Sequence, residues 1–169
     1  MTITRVFSLL VAVILVVPLA FAEDSAVEAQ KLAEQVKHAK VSLERALQVS
    51  EKEGKPISGK FEFEEGKLQL SVYTEKGGKY YEVVVDHTTG KIAKVEEITS
   101  GDDLVAAKTQ SEAMAKAKRS LRDAIKAAEK AHKGFHALSV TPALRDGHPL
   151  ATLVVNKGHE TRTVTEKLD

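Results

Sequence analysis

The chain has 169 residues, no cysteine and a formal net charge of +1. Without cysteine the fold has no disulfide, and the chain cannot be a lipoprotein anchored through that residue. A near-neutral chain also lacks the basic excess that is typical of nucleic-acid-binding domains, so bulk charge argues against that class.

Residues 1–22 have the parts of a secretory signal peptide. A short start with one positive charge precedes an uncharged apolar run from Val6 to Leu19, and a small-x-small site ends at Ala22. The apolar run is shorter than the roughly 20 residues of a spanning helix, and Pro18 interrupts it. We therefore predict cleavage between Ala22 and Glu23, export to a bacterial periplasm or the extracellular space, and no transmembrane segment in the mature chain.

The rest of the sequence contains an internal repeat. AKVSLERAL, residues 39–47, matches AKRSLRDAI, residues 117–125. Two later stretches, which begin at Glu75 and Val155, match at nearly the same offset, and each leads into a strand-like run. Because repeats at a fixed spacing indicate repeated structural units, we predict two copies, residues 23–100 and 101–169.

Each copy begins with a helix-forming stretch. Residues 25–53 contain no glycine or proline, and their apolar residues recur at roughly helical spacing. In the second copy Ser120 and Asp123 fit a capping box, which favours a helix start there, although residues 102–133 also lack breakers. One long helix and a helix pair both remain open for each copy. Gly54 and Gly134 are predicted to stop the helices.

Each copy then continues into strands. Leu68, Leu70 and Val72 alternate with polar residues, as in a strand with one buried face. Glycine-containing stretches at 64–66, 77–78 and 146–147 predict hairpin turns. The predicted class is α+β, in which each unit is a helix or helix pair followed by an antiparallel meander sheet of three or four strands.

The stretch DHTTGK interrupts the last strands of the first copy. Asp86 and the threonines that follow can accept hydrogen bonds from backbone N–H groups, as in Asx and Ser/Thr turns. Gly90 can adopt positive φ without steric cost. We therefore predict a structural turn built from Asp86, Thr89 and Gly90 rather than a catalytic motif.

These residues resemble the PepSY domain. The motifs that carry the resemblance are Leu43-x-x-Ala46-Leu47 and Tyr81-Glu82-Val83-x-Val85-Asp86-x-x-Thr89-Gly90-Lys91-Ile92. The match is good over residues 40–97. The second copy resembles the family more weakly, because residues 165–169 lack the T-G-K turn.

The resemblance implies a helix across an antiparallel sheet, an exported location and no enzymatic activity. The family occurs in propeptides of thermolysin-like metallopeptidases, and tandem units of this kind are similar to secreted beta-lactamase inhibitor proteins. The first hypothesis is a non-catalytic protein-binding module that inhibits or modulates an envelope peptidase. The alternative is a periplasmic sensory or accessory partner of a membrane signalling or redox protein. No catalytic residue and no cofactor is predicted.

Two further patterns have alternative interpretations. Lys118, Arg122, Lys126 and Lys130 recur every four residues, which on a helix gives one basic face. That face can dock an acidic partner or simply be solvated, and we favour the solvated face.

His132 and His136 have the spacing of a helical metal pair, but Gly134 lies between them, so we predict solvent-exposed histidines and no metal site. Exposed strand edges are the predicted working surface, because an open meander can accept an extended segment of a partner.

Overall fold

The computed structural model describes residues 31–169. The predicted signal peptide and its cleavage site at Ala22 and Glu23 lie outside the described residues and stay a prediction. Across residues 31–169, no helix combines the length and the hydropathy that crossing a membrane requires.

Both helix-forming stretches are interrupted, which resolves the alternative that the sequence left open. Residues 31–36 are helical, and α1 then spans Leu43–Ser50. Later in the chain, α2 spans Gly101–Lys116 and α3 spans Leu121–Ala131. A serine caps the second helix of each pair, since Ser42 accepts a hydrogen bond from the N–H of Arg45 and Ser120 accepts one from the N–H of Asp123.

The capping box predicted at Ser120 and Asp123 is confirmed, because the Asp123 carboxylate also accepts from the Ser120 N–H, 3.3 Å away. The hydrogen bonds from Ser120 lower the pKa of Asp123 below its ordinary value. The predicted helix stops are a few residues late, since α1 ends at Ser50 and α3 at Ala131.

Seven strands form one antiparallel sheet in the described residues. They are β1 (Lys55–Glu64), β2 (Lys67–Lys76), β3 (Lys79–Val85), β4 (Ile92–Ile98), β5 (His136–Arg145), β6 (His148–Lys157) and β7 (Glu160–Lys167). Their order is β4-β3-β2-β1-β5-β6-β7. The predicted α+β class is therefore confirmed. The two meanders do not form separate sheets, because β1 and β5 pair at Gly59 with Val140 and at Lys60 with Ser139.

Helices cover both faces of this sheet. A Cβ atom at Gly59 would lie 3.1 Å from Cδ1 of Leu43, so α1 lies against that face. The neighbouring Ser58 points to the opposite face, as strand alternation requires, and its hydroxyl donates to the Gln110 side chain of α2 at 2.6 Å. Arg122 of α3 pairs with Glu44 of α1, which places α1 and α3 on the same face.

The main core lies between the sheet and the helices α1 and α3. Its fully buried side chains include Leu43, Leu47, Ile57, Leu70, Val72, Val83, Ile125, Val140 and Leu153. Burial of an aliphatic side chain of this size stabilises a fold by about 1.5–3 kcal/mol. Residues of both meanders contribute to a single hydrophobic cluster, which explains why one sheet forms instead of two.

Strand starts recur at a constant spacing. Lys55, Lys67 and Lys79 begin β1, β2 and β3. The strands β5, β6 and β7 begin at His136, His148 and Glu160, and each of these residues follows its counterpart by the same number of residues. Gly59 and Val140, which face each other where β1 meets β5, are separated by that distance too. One pair of matching residues, Gly59 and Val140, therefore meets at the centre of the sheet.

Candidate partner-binding surface

The turn after β3 is held by the Asp86 side chain. Its Oδ1 atom accepts hydrogen bonds from the N–H groups of Thr88 and Thr89, at 2.8 and 2.9 Å. The Gly90 N–H donates to the Asp86 carbonyl oxygen at 2.8 Å, and Gly90 has a φ of 72°. The bonds from Thr89 and Thr88 lower the pKa of Asp86, because they favour the charged carboxylate.

This turn also fixes the chain that leads into α1. The carbonyl oxygen of His87 accepts from the N–H groups of Lys40 and Val41, at 2.8 and 3.0 Å. A Cβ atom at Gly90 would lie 3.5 Å from Val41 Cγ2, an ordinary packing distance. The geometry thus gives Asp86 and Gly90 a structural role, since they place a carbonyl acceptor under the start of α1.

The same arrangement recurs after β7. The carbonyl oxygen of Leu168 accepts from the N–H groups of Lys118 and Arg119, at 2.7 and 3.0 Å. Leu168 is fully buried, and its own N–H donates to Pro149 of β6 at 3.0 Å. Leu168 therefore holds the segment before α3 through its carbonyl oxygen, as His87 in the D-x-x-T-G-K turn holds the segment before α1.

The predicted basic face is divided by the fold. The Arg122 guanidinium lies 3.5 Å from Glu44 and 3.2 Å from Glu51, and Lys126 lies 3.4 Å from Glu44. Two of the four cations therefore face the acidic side of α1. Within residues 31–169, Lys118 and Lys130 form no ion pair, and both are exposed.

The two histidines of the metal hypothesis point to different partners. His132 caps the end of α3, and its Nδ1 atom lies 3.3 Å from Nη1 of Arg162. His136 begins β5, with Nδ1 3.9 Å from the carboxylate of Glu129. In the part of the chain that the structure describes, no group of three or more His, Asp or Glu side chains is arranged to hold a metal ion.

The sheet has two outer strands, β4 and β7, and both carry charged residues, but they differ in the regularity of their pairing. In β4, Lys94, Glu96 and Glu97 are exposed, and the β3 pairing shifts register between Val84 and Val85. Charges and irregular register on an edge oppose the addition of another strand. The β4 edge is therefore a poor template for a partner.

The β7 edge is better suited to strand addition, because β7 pairs with β6 without a register shift. Leu168 bonds to β6 through its N–H, and the backbone groups of a strand point alternately to its two sides. The N–H and C=O groups of Thr161, Thr163 and Thr165 therefore point away from β6. Among the described residues, no strand pairs with this outer edge of β7. Sequence reasoning predicted an open edge but could not choose between β4 and β7.

A cavity of about 560 Å³ was not predicted. It lies where the 117–120 segment passes from α2 to α3, beside the end of α1 and the start of β1. Its walls come from residues that are far apart in the sequence, such as Lys55 and Lys118. The internal repeat was the only sequence signal available, because it aligns the segment before α3 with the segment before α1.

The structure is thus an α+β module in which the D-x-x-T-G-K motif forms a turn. Residues 40–96 match the family model described as "Peptidase propeptide and YPEB domain", PepSY. The match runs from the segment before α1 through most of β4 and confirms the resemblance to the PepSY family that the sequence predicted.

The other comparisons add little to the family match. The chain resembles the crystal structure of a "putative lipoprotein" from Clostridium difficile 630, with a TM-score of 0.44 and 12% sequence identity, over 78% of this chain and 88% of that chain. No curated protein matches the chain.

Proposed function

We propose that the chain is a non-catalytic, exported protein-binding module that modulates an envelope peptidase. The PepSY match at residues 40–96 supports a protein-binding role. The predicted signal peptide at residues 1–22 supports export. The open edge of β7 supplies a surface on which an extended peptide segment, such as the rim of a peptidase cleft, can pair.

We also propose that residues 23–100 and 101–169 are two copies of one unit. The constant spacing between matching strands of the two meanders supports the duplication. The carbonyl groups of His87 and Leu168 hold the start of α1 and of α3 in the same way, which supports it independently.

The observation that carries the binding proposal is the difference between β3 and β7. These strands occupy matching positions, and β4 covers the outer edge of β3. Within residues 31–169 the corresponding position beside β7 is empty. A partner strand that runs antiparallel to β7 would fill that position and meet the backbone groups of Thr161, Thr163 and Thr165.

The test uses purified residues 23–169 and a secreted thermolysin-like metallopeptidase. We expect saturable slowing of the hydrolysis of a fluorogenic peptide. Thr163→Pro removes an outward N–H without touching the β6 bonds, and edge strands tolerate proline, so this variant should modulate the peptidase less. Thr163→Val keeps the N–H and is the matched control.

Two outcomes would contradict the proposal. Unchanged hydrolysis by metallo-, serine and cysteine peptidases at saturating module would reject peptidase modulation. Equal modulation by Thr163→Pro and Thr163→Val would reject the β7 edge as the binding surface. Recovery of a sensor kinase or a redox membrane protein from an envelope extract, with no peptidase, would favour the accessory-partner alternative.

A further inference from the structure

The cavity beside the 117–120 segment combines cationic and apolar walls. Lys55, Lys118, Arg119 and Arg122 line it together with a single carboxylate, that of Glu51. The formal charge of the lining is therefore +3, from four cations and one anion. A cavity of this size lies within the range of about 300–1,000 Å³ that is usual for small-ligand sites.

Two of these cations donate to backbone carbonyl groups. Nζ of Lys55 donates to the carbonyl oxygen of Met114 at 2.9 Å. Nη1 of Arg119 donates to the carbonyl oxygen of Lys167 at 2.7 Å, and it also lies 3.8 Å from the carboxylate of Glu166. A carbonyl group positions a cation without neutralising it, so the charge of Lys55 remains available to an anion.

Arg122 leaves one donor of its guanidinium unused. Its terminal nitrogens face Glu51 and Glu44, but Nε is buried and has no hydrogen-bond partner among residues 31–169. Because Nε is buried, a ligand in the cavity does not reach it, and the carboxylates of Glu44 and Glu51 balance the charge of Arg122.

The remaining wall is apolar. Leu47 of α1 and Leu121 of α3 are buried at the cavity, and Met114 at the end of α2 is 4% exposed. Pro56 completes this side at the start of β1. The lining thus matches a ligand with an apolar body and one anionic end.

A second cavity of about 390 Å³ occupies the matching position in the other half of the molecule. Lys40 and Ser42 stand there where Lys118 and Ser120 stand in the first cavity, and His136 takes the place of Lys55. Val41 replaces Arg119, and Lys37 and Lys157 also line the second cavity, together with the carboxylate of Glu129. Lys40 is therefore a lysine that matches Lys118 but lies outside the first cavity.

We propose that the cavity lined by Lys55, Lys118, Arg119 and Arg122 binds the carboxylate end of an apolar ligand. That chemistry is shared by the C-terminus of an apolar peptide and by a free fatty acid. Lys55 and Lys118 receive the carboxylate, and Pro56, Met114 and Ala117 receive the adjoining apolar group. This site is independent of the β7 edge and of peptidase modulation.

The experiment is an NMR titration of ¹⁵N-labelled residues 23–169 with three probes: N-acetyl-leucyl-leucine, its C-terminal amide, and decanoate. We expect saturable shifts of the 117–122 amides with at least one carboxylate probe and none with the amide. A response to the dipeptide alone assigns a peptide C-terminus, and a response to decanoate alone assigns a fatty acid. A response to both assigns a site for apolar carboxylates in general.

Two exposed lysines give a matched pair of variants. Lys118→Glu should raise the Kd of the binding probe by roughly fivefold, the range expected when an exposed charge contact is reversed. Lys40→Glu, at the matching position of the second cavity, should leave Kd unchanged. Equal binding by the acid and the amide, no saturable shift with any probe, or equal effects of the two variants would overturn the proposal.

Discussion

Glu44 of α1 and Arg122 of α3 form an ion pair at 3.5 Å, and they occupy the same position in the two repeats of the helix motif. Each directly follows the first leucine of its motif. Gly59 and Val140 are likewise matching residues that face each other in the sheet. Both pairs join matching positions of the two proposed copies.

We expect reversal of the charge at Glu44 to destabilise the contact between α1 and α3. In Glu44→Arg, the new cation faces Arg122 and Lys126, so the free energy of unfolding should fall by about 1 kcal/mol. The measurement is urea denaturation followed by circular dichroism at low ionic strength.

The double variant with Glu44→Arg and Arg122→Glu is the control, because it restores one attractive pair. It should recover part of the lost stability, and the recovery should shrink at high salt. A double variant that is as unstable as the sum of the single variants would show that the pair does not couple the helices.

Valine at position 59 should destabilise the protein although it favours strands. Strand propensity alone predicts a gain for Gly59→Val. Here the added side chain would enter the space of Leu43 and Leu47, whose atoms lie 3.1 and 3.4 Å from a Cβ at this position. Overpacking of this kind costs about 1–3 kcal/mol, and thermal denaturation measures it.

Gly59→Ala should show a smaller loss, because it adds the Cβ atom alone. Thr163→Val, on the exposed edge of β7, should show no loss, since only propensity changes there. Greater stability of Gly59→Val than of the wild type would mean that α1 shifts to admit the side chain.

The charge of Asp86 should contribute to the pH dependence of stability. Hydrogen bonds from Thr89 and Thr88 hold its pKa below the ordinary value of 3.8. A carboxyl group whose pKa is lowered by folding stabilises the native state above the unfolded pKa, and this contribution is lost as the pH falls through the folded pKa. Asp86→Asn keeps an oxygen acceptor for the turn but has no such titration.

Wild type and Asp86→Asn should therefore converge in stability as the pH is lowered from about 6 to about 2. Urea midpoints measured at steps across this range test the expectation. A constant difference between the two proteins at every pH would show that the Asp86 charge does not stabilise the turn.

Leu168 should be a stability determinant in spite of its place beyond the last strand. Its side chain is fully buried, and its carbonyl oxygen anchors the segment before α3. Leu168→Ala should cost about 2–5 kcal/mol, as for other buried leucines, and chemical denaturation measures this loss. Lys167→Ala, which changes an exposed side chain next to it, should cost much less.

Local features of the fold could be predicted from the sequence. The capping box at Ser120 and the hairpin turns at Gly77 and Gly147 depend on residues within a few positions of each other. The pairing of Gly59 with Val140 joins residues from opposite halves of the chain and has no local signature. The sequence therefore predicted the meanders but not their union in one sheet.

The ion pairs of the basic face also join residues that are far apart in the sequence, and the sequence did not predict them. Helical spacing placed Arg122 and Lys126 on one side of α3, and that placement needs only the helical period. Their partner Glu44 lies on another helix, so the ion pairs depend on tertiary packing. The cationic cavity could not be predicted either, because Lys55 and Lys118 are far apart in the sequence and come together only in the folded chain.

If residues 23–100 and 101–169 are two copies, as proposed, the seam between β1 and β5 gives one chain the internal layout of a symmetric dimer. In such a dimer, the same surface patch of two identical subunits makes a self-complementary contact. Residues 23–100, produced alone, would expose the β1 edge around Gly59 that β5 normally covers. We expect this fragment to associate with a second copy of itself through β1, so that two separate chains reproduce the arrangement that one chain now contains.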